Sequence, residues 1–226
     1  MEFFIVYGLV IISLLITLGA QAFVSTSYSK YSKINNMKGL TGSEVARLIL
    51  DKHGLQDVKV VSTSGNLSDH YDPKSKVVRL STGIYEKSTV ASVAVACHEC
   101  GHAIQHKEGY TFLRIRSSMV PFVNFCSYAG YLAILIGSIF SAFGLIWAGI
   151  FAEVVILLFQ LITLPVEFDA SKRGLKEVRE GQYLVEKEYS NGKTMLTAAA
   201  LTYVASVATT IIQILRLVLM FGRRND

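Results

Sequence analysis

Val90-Ala91-Ser92-Val93-Ala94-Val95-Ala96-Cys97-His98-Glu99-Cys100-Gly101-His102-Ala103-Ile104-Gln105-His106 runs from an apolar half into a cluster of ionisable side chains. Val90 to Ala96 offers almost no polar surface, which predicts a central buried helix over Val90–His106 and not a surface one. Ser88 or Thr89 stands at its N-cap, and Gly109 closes it. His98 and His102 are four residues apart and share one helical face, so two imidazoles can meet one metal ion. Glu99 lies about 100° around the same helix, where its carboxylate reaches water at that metal without ligating it. Two ligands, an open position and a general base are what a catalytic zinc requires. Ionisable side chains are almost never fully buried unless paired or metal-bound. Three of them at this spacing favour the metal over satisfied core polar groups.

The third ligand must come from elsewhere. The longer pattern H-E-x-x-H-x-x-G-x-x-H fails, because Gln105 and Glu108 occupy the glycine and third-histidine positions. His106 lies two turns from His98, too far along a straight helix to join the same ion. It reads as a helix-end cation favoured by the macrodipole. Cys97 and Cys100 point away from the histidine face and read as packing residues. With Cys126 they make an odd number, which suits reduced thiols in a cytoplasmic compartment, not a disulfide framework. The segment Leu164-Pro165-Val166-Glu167-Phe168-Asp169-Ala170-Ser171 supplies carboxylates where an apolar run ends and a helix is expected to restart. Glu167 is the first candidate ligand. Asp169 is the second, or else it bonds the N–H of a ligating histidine from behind.

Composition places this helix in a membrane protein. Of 226 residues only 17% are charged, and mean hydropathy is +0.42, against roughly 25% charged in a soluble domain. Phe3–Val24 is long and apolar enough to span a bilayer. From Ser117 to Val166 the only ionisable group apart from tyrosine and cysteine is Glu153, which suits two back-to-back spans. Thr194–Leu215 is a fourth uncharged run, diluted by Thr, Ser and Gln. Ala20-Gln21-Ala22 resembles a signal-peptide processing site, but the preceding segment has no basic residue and its apolar run is long for one. The net charge of +5 is not a nucleic-acid signal, since no basic stripe interleaves with aromatics. Lysine and arginine fall between the apolar runs: thirteen between Val24 and Ser117, six between Val166 and Thr194, and three from Arg216 onward. The positive-inside rule places both polar segments in the cytoplasm.

The organisation expected is a transmembrane helix over 1–24, a catalytic segment over 25–118, a transmembrane hairpin over 119–166, a helix over 167–193 carrying the third ligand, and a C-terminal membrane helix with a basic tail over 194–226. A hairpin returns Glu167 to the side of His98 and His102. If the last segment spans fully, Arg223 and Arg224 end outside, against the charge rule; the segment is read as a span nonetheless. Ser25–Asn36 reads as a polar exit from the membrane. Thr41 with Glu44 forms a capping-box pattern before a helix over Gly42–Lys52. Val58–Val61 and Lys76–Ser81 read as strands, with His70 and Tyr71 in the loop between them. The fold class is therefore mainly α: membrane-embedded helices with a small zincin-like α+β catalytic domain.

The strand Val77–Ser81, the helix ending Ala96-Cys97-His98-Glu99-Cys100-Gly101-His102-Ala103-Ile104-Gln105-His106, and Leu164–Ser171 together resemble the neutral zinc metallopeptidases of bacterial membranes (YugP-like). Those are similar in turn to heat-shock membrane peptidases of the HtpX kind. The resemblance runs from the first span to the last apolar segment. It implies one Zn2+ per chain, with His98, His102 and Glu167 as ligands (the gluzincin set) and Glu99 as base, in the bacterial cell membrane. In the heat-shock relatives an aspartate follows the glutamate by four residues; here that position is Ser171, leaving Asp169 as the substitute partner.

The function expected is a membrane-bound zinc endopeptidase. Glu99 accepts the proton of the attacking water and delivers it to the leaving amine. Its partners are membrane lipid and a protein or peptide substrate, membrane proteins among them. An extended peptide would add to an exposed strand edge, for which Lys76–Ser81 is the candidate, and His70 and Tyr71 are candidate oxyanion donors. The alternative is a non-catalytic membrane scaffold or regulator with a structural or vestigial zinc site; the intact Glu99 argues against it, since a structural site needs no base. A transporter rests on Glu153 alone, without a partner or an inverted repeat.

Overall fold

The computed structural model describes residues 2–222. In chain order the elements are α1 (Glu2–Tyr31), α2 (Gly42–Lys52), β1 (Lys59–Thr63), β2 (His70–Asp72), β3 (Val77–Ser81), α3 (Thr82–Tyr85), α4 (Val90–Lys107), α5 (Thr111–Phe140), α6 (Phe143–Glu180) and α7 (Glu186–Phe221). The protein is mainly α with a small α+β part. It forms two compact units, the described parts of Met1–Gln21, Arg114–Leu164 and Leu201–Asp226 in one, and Ala22–Leu113 with Pro165–Ala200 in the other.

The first unit is built from the apolar portions of four helices, α1, α5, α6 and α7, each long and apolar enough to cross a bilayer by length and composition. A tight turn at Ser141 and Ala142 joins α5 to α6, which pack through Val123 and Cys126 against Ala152 and Val155. Large apolar side chains such as Leu15, Phe125, Ile139 and Phe151 are exposed, an arrangement that water penalises and lipid does not. α7 continues to Phe221; Arg223 and Arg224 lie outside the described residues.

In the second unit, three strands form a sheet of order β1-β3-β2, with β1 parallel and β2 antiparallel to β3. The Thr41 side chain accepts from the Glu44 N–H, and the Glu44 carboxylate accepts from the Thr41 N–H at 2.8 Å, so the capping box that starts α2 is complete. The apolar face of α2 (Val45, Ala46, Ile49, Leu50) packs with Val58, Val78, Leu80 and the Val90–Cys97 half of α4 in one core. Fully burying each Ile or Leu there contributes about 1.5–3 kcal/mol relative to exposure. Thr89 caps α4 by accepting from the Ser92 N–H at 3.1 Å.

α1 runs on through Ser25–Tyr31, where Thr26 bonds back to the Ala22 carbonyl at 2.6 Å, and Val24, Ser27 and Tyr31 form a buried stripe at helical spacing. Two local expectations change. No helix restarts near Glu167. α6 passes unbroken through Pro165, although an interior proline costs an isolated helix about 3 kcal/mol. Tertiary contacts hold it, for Val166 and Ala170 are fully buried and Gln105 Nε2 donates to the Val166 carbonyl at 2.8 Å. Finally, His70 and Tyr71 belong to strand β2, and β3 is the central strand, so the free edges are those of β1 and β2. The apolar Val77, Val78 and Leu80 are buried on both faces, whereas the short polar His70-Tyr71-Asp72 can tolerate an edge.

Candidate metal centre

α4 and α6 meet at two glycines. A Cβ at Gly101 would lie 2.5 Å from the Ala170 carbonyl oxygen, and one at Gly174 would lie 2.8 Å from the Cys97 carbonyl oxygen. Each glycine thus admits the backbone of the other helix, and the approach brings Glu167 over the histidine face of α4. The rings of His98 and His102 stand edge to face with centroids 4.8 Å apart. Glu167 Oε2 lies 3.4 Å from His98 Nε2 and 3.5 Å from His102 Nε2.

Those separations are long for strong hydrogen bonds. They are close to the spacing of about 3.3–3.4 Å between tetrahedral ligands that sit about 2.0–2.1 Å from zinc. Among the described residues these three side chains are the group whose donor atoms converge on a metal-sized space, all within 4.8 Å of one another. The groups behind the two rings also suit ligation. His102 Nδ1 lies 3.0 Å from Gln105 Oε1, while Gln105 Nε2 donates to the Val166 carbonyl and to Asp169 Oδ2, each at 2.8 Å. With both amide hydrogens so used, the amide oxygen faces His102, and an oxygen can only accept. His102 therefore carries a proton on Nδ1, so that Nε2, facing Glu167, is the ring nitrogen left to ligate a metal. Ser171 Oγ stands 3.1 Å from His98 Nδ1 and can fix that ring in the same sense. The donor set fits a zinc ion.

Electrostatics agree. Burial alone would raise the Glu167 carboxyl, but the facing imidazoles of His102 and His98 outweigh it and hold it well below the usual carboxylate range. Burial alone would lower the His102 imidazole, and the Glu167 carboxylate beside it turns the net shift upward. Glu99 is buried but is not one of the three converging groups; burial pushes its carboxyl up, against the pull of His98 and His102.

The other residues singled out in the sequence fall as follows. Asp169 is outside the cluster and reaches His102 through Gln105, while itself accepting from Arg173 Nε at 2.5 Å. Arg173 Nη1 in turn donates to Glu108 Oε2 at 2.5 Å. Tyr71 places its hydroxyl 2.8 Å from His106 Nδ1 and not on the cluster; burial, then Asp57 and Asp72, pushes its phenol up to about 12. His70 is exposed, with Nδ1 2.8 Å from the Ser68 carbonyl. Cys97 and Cys100 are fully buried thiols whose ionisation burial opposes, in keeping with a packing role. Gln105 was missed as a functional residue. Its signal was present: a polar side chain three residues after His102, on the same face of an otherwise apolar helix.

The chain thus combines helices long and apolar enough to cross a bilayer with a buried His98-His102-Glu167 set that could hold a metal ion. The chain belongs to the family described as "Putative neutral zinc metallopeptidase", whose profile matches residues 6–222. It is 42% identical over 218 residues to the "Putative membrane protease YugP" of Bacillus subtilis (strain 168), covering 96% of this chain and 97% of that relative. No solved structure matches it.

Proposed function

We propose that this protein is a membrane-bound, zinc-dependent endopeptidase of the gluzincin type, with one zinc ion per chain held by His98, His102 and Glu167 and with Glu99 as general base. The observation that carries the reading is the convergence of His98 Nε2, His102 Nε2 and Glu167 Oε2 at 3.4 and 3.5 Å, beside a buried glutamate that is not a ligand. A zinc ion held there supplies Lewis acidity, polarising a peptide carbonyl and acidifying a water molecule.

The chain's own residues do the rest. Glu99 takes the proton of the attacking water and returns it to the amine nitrogen as the C–N bond breaks. Burial raises its carboxyl above the ordinary carboxylate value, which makes it a stronger base than an exposed glutamate. Ser171 and Gln105 keep the imidazoles oriented, so that little reorganisation is needed when metal binds. The positive-inside pattern supports a cytoplasmic active site acting on peptide segments, those of membrane proteins included.

The test combines zinc analysis of the purified protein with a Glu99→Gln variant. The amide keeps the shape of the carboxyl but cannot accept the proton. We expect full zinc content with hydrolysis abolished, and proteolysis persisting in a pure Glu99→Gln sample would remove the mechanism.

A further inference from the structure

Beyond the metal centre, the exposed faces of α6 and α7 in the same unit enclose a groove of about 510 Å³. Its floor is apolar, formed by Phe168, Leu175 and the ring of Tyr189. Its rim is cationic: Lys172, Lys176 and Arg179 follow one another along α6, and Lys193 faces them from α7. Glu180 is the one acid in the lining, and it is drawn to Lys52 at 2.9 Å, away from Lys176 at 3.6 Å. Arg179 reaches Glu186 only at 4.0 Å and lies over the Tyr189 ring. Lys172 and Lys193 have no carboxylate partner among the described residues. The groove thus carries a rim with a net positive charge, Lys172 and Lys193 being its uncompensated cations, above an apolar floor.

Two features say what it fits. At one end its lining includes Ser171, whose hydroxyl contacts His98 of the metal centre at 3.1 Å. From Phe168 to Arg179 it follows the α6 axis for roughly 16 Å at 1.5 Å per residue, which matches about five residues of extended peptide. A compact anionic headgroup would occupy one end of such a track, whereas a peptide would use all of it.

We propose that this groove holds one flank of the substrate, a segment with apolar side chains on the floor and carboxylates at the lysine rim, so that the enzyme selects peptides acidic on one side of the scissile bond. The assignment rests on the peptidase reading above.

The full-length Glu99→Gln protein in zwitterionic-lipid nanodiscs binds without turnover, so recognition is read apart from chemistry. The probes are fluorescent decapeptides sharing one apolar centre, with aspartate, serine or lysine triplets on either flank, followed by anisotropy. One of the two aspartate peptides should bind roughly tenfold more tightly than its serine counterpart, as expected of three partly exposed ion pairs, and the difference should shrink in high salt. The exposed triple reversal Lys172→Glu/Lys176→Glu/Lys193→Glu should transfer the preference to the lysine peptide of the same flank, with zinc content unchanged and the thermal midpoint lowered only slightly by the new i,i+4 carboxylate row. Equal binding of all peptides, or an acidic preference that survives the reversal, would overturn the assignment. So would a reversal that leaves peptide binding intact and instead abolishes association with phosphatidylglycerol vesicles, which would make the groove a headgroup site. If the binding preference holds but the wild-type protein cleaves none of the peptides, the peptidase reading fails and the groove stands.

Discussion

Replacing Gly101 by alanine should act against ordinary helix propensity, and the sign of the effect tests how the metal centre is assembled. In a helix interior, glycine to alanine normally stabilises by about 0.8–1 kcal/mol. At Gly101 the new Cβ would meet the Ala170 carbonyl oxygen at 2.5 Å, where real Cβ contacts are essentially never under 3.0 Å and ordinary contact begins near 3.4 Å. The obstacle is backbone and cannot rotate aside, so α6 must retreat by between 0.5 and 0.9 Å, the difference between those limits and 2.5 Å. Overpacking of this kind costs about 1–3 kcal/mol. Since a rigid partner places it at the upper end, a net loss of about 1–2 kcal/mol should remain after the propensity gain. The same retreat carries Glu167 away from His98 and His102, and metal sites tolerate only about ±0.2 Å. Zinc affinity should therefore fall roughly 10–100-fold, as when a partner behind a ligand is lost. Thermal unfolding in detergent, with and without zinc, and competition against a chromophoric chelator measure the two effects. Gly19→Ala, where a Cβ meets nothing within 4 Å, serves as the control and should be neutral or stabilising. A Gly101→Ala protein as stable and as zinc-avid as wild type would refute the close-approach argument.

Glu167→Ala should lose zinc as severely as His98→Ala, whereas full retention in a metal analysis would move the third ligand elsewhere. Ser171→Ala should weaken zinc binding by about 10–100-fold through loss of the oxygen behind His98, and Ser171→Asp should restore it; equal affinities in a chelator titration would deny Ser171 that role. Cysteines introduced at Lys74 and Lys187 should be labelled from the same, cytoplasmic, membrane face, the three native cysteines being buried. Labelling from opposite faces would contradict both the topology and the site, because His102 and Glu167 must share a side.

The parts legible in the sequence are those governed by local chemistry. The capping box at Thr41 and Glu44, the apolar helix from Val90, the i and i+4 histidines and the long apolar runs each depend on residues a few positions apart, whose periodicity and side-chain chemistry constrain them without reference to the rest of the chain. Glu167 stood out for the same reason, as a carboxylate at the end of an apolar run. What the sequence could not decide involved partners remote along the chain. Pro165 reads as a break, yet α6 continues because Val166 and Ala170 are buried and Gln105 bonds the Val166 carbonyl. Lys76–Ser81 reads as a strand in either position, and only pairing with both β1 and β2 made it central. Asp169 looked like the partner for a histidine; the structure places Gln105 behind His102 and Ser171 behind His98. Hydrogen-bond partners are chosen by distances of a few tenths of an ångström, and those were set where Gly101 and Gly174 let two helices approach across more than sixty residues of chain.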